Sequence, residues 1–207
     1  MYLEQPLRHY LNDLASANST PGGGSASAIS GAMGAALASM VARLTIGKAN
    51  YAHVEEEITS ILDQTELLRE RFQQLIQEDI DAYGKLSSAF KLPRKSDEER
   101  AARTLAIQEQ LLEAALVPLE MVECAAELVK YCHRIAEIGN KNVLSDVATG
   151  ALLGASAGTG AAWMVRINLQ SLQDDELVDV LSDRLSVALD HITGWNTEIL
   201  TIVGSRM

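Results

Sequence analysis

The sequence predicts an all-α fold: an elongated bundle of about six helices that pairs with a second copy of itself. Three observations carry this. Apolar residues recur at three- and four-residue steps, and no stretch alternates apolar with polar as a strand does. Ala, Leu and Glu are abundant, whereas aromatics are 4% of the chain and only 4 prolines occur in 207 residues, a composition that suits long helices. The helices are also too long for a sphere. One of about 37 residues spans roughly 55 Å, against a radius of gyration of about 17 Å for a compact chain of this length. A bundle so drawn out commonly completes its core by dimerising.

The elements follow in order. A short amphipathic helix covers about 3–15, mixed in charge and unlike a signal peptide. A second runs from about 24 to 46, with Gly47 as its stop. The third spans about 52–90, its stripe carrying Ile58, Ile61, Leu62, Leu68, Phe72, Leu75, Ile76, Tyr83, Leu86 and Phe90. Ser96 and Glu99 form a capping box that opens the fourth helix, 97–138. Pro118 lies inside it and is expected to kink it. Gly139 is expected to close it in a left-handed cap, with Asn142 starting the fifth helix, which runs to about 169. The sixth follows "QDDE" and reaches about 203, with Leu177, Leu181, Leu185, Ala188, Ile192, Trp195, Ile199 and Ile202 on one stripe. One domain, 1–207, is expected.

Charge narrows the partners. Lys plus Arg number 17 and Asp plus Glu 28, a net −11. Such a surface repels nucleic acid and anionic lipid, and no basic run or nucleic-acid motif is present. Cys124 and Cys132, eight residues apart on one helix and so roughly 12 Å from each other, are too distant for a disulfide. Free thiols fit a reducing cytoplasm.

Two segments, 22–42 and 147–165, carry no charged side chain. Each approaches the length of a membrane span. Gly, Ala and Ser dominate them, however, and the residues that drive insertion are few, so a membrane hairpin is disfavoured. Close helix packing is the better reading. Gly31, Gly34, Ala35 and Ala38 line one side of the second helix, and Gly150, Gly154 and Gly158 recur every four residues on the fifth.

Several polar residues stand in apolar places. Asp79 falls on the apolar stripe of the third helix, where a carboxylate must be paired, hydrogen-bonded or protonated. Asp146 opens the fifth helix, either as a first-turn acid or as a site residue beside Asn142 and Ser145. Lys48 follows a helix end. Arg166 and Asn168 come just beyond the second charge-free run, where an Arg suits a carboxylate. "PGGGS", with Gly22, Gly23, Gly24 and Ser25, lacks the features of a nucleotide-binding loop; what it offers is backbone N–H groups opening a helix. The histidines show no ligand spacing and no metal site is expected. His133 reads as a satisfied core histidine.

Taken in order, "STPGGGSASAISGAMGAALASMVARLTIGKANY", "EDIDAY", "ALVPLEM", "GNKNVLSD" and "MVRINL" resemble the formiminotransferase-cyclodeaminase C-terminal family, which includes methenyltetrahydrofolate cyclohydrolases. The resemblance covers about 4–200. It implies an all-α dimer with a folate site in a cleft near the dimer interface. It also implies conversion of 5-formimidoyltetrahydrofolate to 5,10-methenyltetrahydrofolate and ammonia, or hydrolysis of the methenyl ring to the 10-formyl compound. A folate-binding dimer without catalysis is a further alternative. No cofactor beyond the tetrahydrofolate substrate is implied. On this reading Asp79, Asp146 and Lys48 are the candidate catalytic residues, with Lys48 and Arg166 meeting glutamate carboxylates. Gly22, Gly23, Gly24 and Ser25 donate backbone N–H groups; Tyr51, Asn142, Ser145 and Asn168 orient the substrate. Met164 stands where the family often has Asn.

Overall fold

The computed structural model describes residues 2–206, and among them the regular structure is entirely helical. The helices are α1 (Leu7–Leu14), α2 (Gly23–Arg43), α3 (Glu55–Phe90), α4 (Asp97–Ile138), α5 (Leu144–Leu169) and α6 (Asp175–Arg206). Short 3-10 turns, Tyr2–Glu4, Ala49–Val54 and Lys141–Val143, precede α1, α3 and α5.

Start signals behave as the side-chain chemistry dictates. Ser96 accepts the Glu99 N–H at 3.2 Å, and the Glu99 carboxylate returns to the Ser96 N–H at 3.2 Å, completing the capping box. The stops differ from expectation. Gly139 is extended (φ −76°, ψ 175°) rather than left-handed, and its N–H ends α4 by bonding the Ile135 carbonyl at 2.7 Å. The positive-φ glycine is Gly47 (φ 73°), four residues beyond the end of α2. Asn140, only 2% exposed, does the capping ascribed to Asn142. Its side-chain oxygen accepts the Asn142 N–H at 3.1 Å while its amide donates to the Leu44 carbonyl at 2.8 Å. The start of α5 is thereby fixed to the end of α2.

The core sits between α2 and α5 on one side and α3, α4 and α6 on the other, filled by Phe72, Leu75, Leu119, Met121, Leu128, Ile135, Ile192 and Ile199. Glycines set its thickness. A Cβ on Gly31 would overlap the Phe72 ring, so this glycine makes room for the largest core side chain. A Cβ on Gly34 would lie 2.7 Å from the Gly150 carbonyl, and one on Gly150 3.1 Å from the Gly34 carbonyl. α2 and α5 therefore cross backbone to backbone, as the small-residue pattern predicts. They run antiparallel: Gly23 meets Met164, Gly160 meets Ser27, and Ser30 donates to the Leu153 carbonyl at 2.9 Å. Gly154 and Gly158 turn toward other helices, against Leu128 and Ile192.

α2 is long and apolar enough to cross a membrane, with mean hydropathy 1.4, yet 56% of that window is buried inside the protein. Its outer side and that of α5 bear Met33, Met40, Leu44, Leu152, Trp163 and Ile167, all exposed, with the Arg166 guanidinium beside Trp163. Elsewhere ion pairs tie the helices. Arg71 of α3 holds Glu120 of α4 at 2.6 Å and Glu78 at 2.6 Å, which lowers the Glu120 carboxyl below its usual range. His133 lies beside Glu198 at 2.9 Å and against the Trp195 ring, with 14% of its side chain exposed, as expected of a satisfied core histidine. Cys124 and Cys132 are unpaired, and burial pushes both thiols up to about 12.

Candidate active site

A cavity of about 290 Å³ opens where the N-terminus of α2 meets the middle of α3 and the end of α5. Gly22, Gly23, Gly24, Asp79 and Asn168 line it, with Ser19, Thr20 and Tyr83 adding polar atoms. Ala82, Leu86, Ala114, Pro118, Met164 and Ile167 supply apolar walls. Its size lies near the lower end of small-molecule pockets, about 300–1,000 Å³, enough for a ring system at its base.

Asp79 is the central group. Burial raises its carboxyl from 3.8 to about 6, opposed by one hydrogen bond from the Ser25 backbone. Among the described residues no cation adjoins it; desolvation outweighs the single donor. Gly24 faces it so closely that a Cβ there would overlap the carboxylate. The triple glycine thus brings backbone against the acid, and any side chain at 24 would displace it.

Asn168 is held by an unusual pairing. Pro118 has no N–H, so the Ala114 carbonyl one turn earlier in α4 lacks its helical donor. The Asn168 amide takes that place, donating to Ala114 at 2.7 Å and to the Met164 carbonyl at 2.8 Å. The helix continues from Asp97 to Ile138 through the proline. Pro118 serves here to free a carbonyl that anchors a residue of α5 at the cavity wall.

The remaining expected residues lie elsewhere in the chain. Asp146, Ser145 and Asn142 stand at the start of α5, and Lys48 and Tyr51 in the link after α2. The Tyr51 hydroxyl accepts the Lys141 N–H at 3.0 Å, drawing these segments together. With 21 residues in α2, this second cluster is about 30 Å from the Asp79 cavity within one chain. Within one protomer, antiparallel packing puts the two groups at opposite ends of the α2–α5 face. Arg166 does not line the Asp79 cavity. It is on the far side of α5 from the cavity, in a groove with Leu169, Val178, Ser182 and Asp190, and its guanidinium lies 5.0 Å from the Trp163 ring.

Sequence reasoning missed Tyr83, which was read as a core position but is 44% exposed at the cavity. It also missed Tyr10, which is 4% exposed and has its hydroxyl 3.2 Å from the Ser25 hydroxyl. A polar tip on the buried side of a short amphipathic helix was the available signal for Tyr10. Among the described residues no three His, Cys, Asp or Glu side chains gather as a metal site.

Comparison with known proteins accords with this geometry. The chain is 40% identical over 204 residues to the methenyltetrahydrofolate cyclohydrolase of Methylorubrum extorquens, covering 98% of each. It is 32% identical to the formimidoyltransferase-cyclodeaminase of Rattus norvegicus, covering 98% of this chain but 37% of that one. Among solved structures, a formiminotetrahydrofolate cyclodeaminase from Thermotoga maritima superposes with a TM-score of 0.89 at 29% identity, covering 98% of both chains. The formiminotransferase-cyclodeaminase family model matches residues 6–187. An all-helical bundle, an acid buried beside a triple-glycine turn, and full-length likeness to two folate enzymes together assign the chain: it belongs to the formiminotransferase-cyclodeaminase family.

Proposed function

We propose that this protein makes or opens the methenyl ring of 5,10-methenyltetrahydrofolate in the Asp79 cavity, with Asp79 moving the protons. The observation that carries this is a carboxylate set in the cavity wall against the Gly22–Gly24 turn; burial there pushes it up to about 6, which suits a group that must both accept and donate. In the deaminase direction, N10 of 5-formimidoyltetrahydrofolate attacks the formimidoyl carbon. The formimidoyl group reacts in its protonated form; Asp79 accepts the N10 proton and passes it to the amino group of the tetrahedral adduct, and ammonia leaves, with the methenyl cation left behind. In the hydrolase direction, water adds to the methenyl carbon of the cationic ring. Asp79 takes a proton from that water and delivers it to N5 as the C–N5 bond breaks; the remaining hydroxyl proton passes to solvent as the formyl C=O forms, leaving the 10-formyl compound. The ionised carboxylate also steadies the positive charge on the methenyl group. No cofactor beyond the folate is needed for either course.

The deaminase reading follows from the family pattern and the 29% identical solved structure. The hydrolase reading is favoured by a specific observation, the 40% identical relative whose length this chain matches. One assay separates them. Growth of the methenyl chromophore with ammonia release from 5-formimidoyltetrahydrofolate identifies the deaminase. Decay of 5,10-methenyltetrahydrofolate faster than in buffer identifies the hydrolase. Absence of both reactions refutes catalysis and leaves folate binding alone.

The working form is proposed to be a homodimer in the cytoplasm. The largely apolar α2–α5 face carries six exposed large apolar residues, including Trp163 at 65%, and the Asp79 cavity and the Lys48–Asp146 cluster lie at its two ends. A twofold axis through the middle of that face lays one copy's Lys48, Tyr51, Asn142, Ser145 and Asp146 beside the other's Asp79. The partner's Lys48 would then meet the glutamate carboxylates and supply the local positive charge that a chain of net −11 otherwise lacks.

A further inference from the structure

We infer that Tyr10 is a positioning residue for the reaction, setting the proton affinity of Asp79 through Ser25. This rests on the assignment of Asp79 as the acid–base group. The Tyr10 hydroxyl is 3.2 Å from Ser25 Oγ in the buried interior. Ser25 Oγ in turn accepts the Gly22 N–H at 3.2 Å and lies 3.0 Å from the Gly22 carbonyl. A serine hydroxyl has one proton to give. All three contacts are satisfied together only if Ser25 donates to Gly22 and Tyr10 donates to Ser25. The tyrosine is therefore the outermost donor in a chain that closes the Gly22–Ser25 turn.

That turn governs Asp79 in two ways. It aims the Ser25 backbone N–H at the carboxylate, the one hydrogen bond opposing desolvation, and it packs Gly24 against the same group. The groups facing Asp79 are few. Tyr10 of α1 and Tyr83 of its own helix are the titratable ones; α2 presents Gly24 and Ser25, α4 Ala114 and Pro118, and α5 Met164 and Asn168. Among the described residues Asp79 is the one charged side chain lining the cavity. Tyr2 packs edge-on against the Tyr10 ring at 5.2 Å and its hydroxyl donates to Asp13 at 2.9 Å, so the ring keeps its support when only the hydroxyl is removed.

The test is the titration of Asp79 in the protein without substrate, read from the side-chain carboxyl carbon by NMR in wild type, Tyr10→Phe, Ser25→Ala and the double variant. A hydrogen bond to the ionised form lowers a carboxyl pKa, so loosening it raises the midpoint. Tyr10→Phe is expected to move it up by roughly 0.5 pH unit, with the acid limb of kcat/KM moving equally. Ser25→Ala is expected to do the same, and the double variant no more than either single one, because the two act along one path. An unchanged midpoint in Tyr10→Phe, or shifts that add in the double variant, overturns the inference. A wild-type midpoint near 4 would instead count against Asp79 as the acid–base group, so the two failures are distinguishable.

Discussion

Replacing Asp79 with Asn should cost activity and increase stability, the second in a pH-dependent way. The folded protein holds the Asp79 proton more tightly than the unfolded chain does, its carboxyl rising from 3.8 to about 6 by desolvation. As pH rises through this interval the unfolded chain ionises first, so folding loses free energy. The loss is absent below 3.8, grows between the two values and is complete above about 6. A shift of about 2 units at 1.36 kcal/mol per unit is about 3 kcal/mol. Asn is neutral, and its carbonyl can still accept the Ser25 N–H. Asp79→Asn should therefore be more stable than wild type at pH 8 by about 2–3 kcal/mol, an increase in Tm of roughly 5–10 °C for a chain of this size. At pH 4 the two proteins should melt together. Turnover should fall about 100-fold or more, the usual scale for a lost proton carrier. Thermal melts at the two pH values, with the folate assay, test both halves. A variant that is no more stable at pH 8, or gains equally at pH 4, would refute the reasoning that burial of an ionisable group at this site is the cost of its chemistry.

Three further outcomes follow from the packing. Asn168→Ala leaves the Ala114 carbonyl beside Pro118 without a donor and should lower stability by about 1–3 kcal/mol in denaturant titration; an Asn168→Ala, Pro118→Ala pair, which restores the backbone N–H, should recover much of it. Gly34→Ala drives a Cβ to 2.7 Å from the Gly150 carbonyl and should destabilise by about 1–2 kcal/mol, overpacking outweighing the gain in helix propensity. If the site is shared across the dimer, Asp79→Asn and Asp146→Asn proteins, each inactive, should regain about a quarter of wild-type activity when unfolded and refolded together, since half of the dimers then carry one intact site; mixtures as inactive as the parents would assign both aspartates to one protomer or remove Asp146 from the reaction.

Much of this architecture was legible in the residues. The three- and four-residue apolar steps located all six helices, and α4 began and ended where its capping box and periodicity required. Close packing of α2 and α5 was legible from their mid-helix glycines, whereas the partner of each was not: Gly34 and Gly150 meet each other's backbone, and Gly31, Gly154 and Gly158 make room for side chains. Asp79 was legible as a carboxylate on an apolar stripe, and its neighbour Gly24 as part of a turn with no other evident purpose. What escaped is what depends on direction. Spacing along α2 and α5 does not reveal that the helices run antiparallel, so the helix length that separates Lys48 and Asp146 from Asp79 within one protomer was not legible. Arg166 and Asn168 are two residues apart and so face different sides of α5, one toward a groove and the other toward the cavity. Gly139 did not need the left-handed conformation because Asn140 capped the junction from its side chain. Pro118 announced a carbonyl without its helical donor, but that Asn168, a residue 50 positions later, supplies the donor was not legible in the sequence.

The most direct measurement is a crystal structure of the protein with a non-reacting reduced-folate analogue bound. The account predicts the pterin edge in the Asp79 cavity, with N5 or N10 within about 3 Å of the carboxylate and backbone of the triple-glycine turn against the ring. An analogue bound elsewhere, with the Asp79 carboxylate out of reach of both nitrogens, would contradict it.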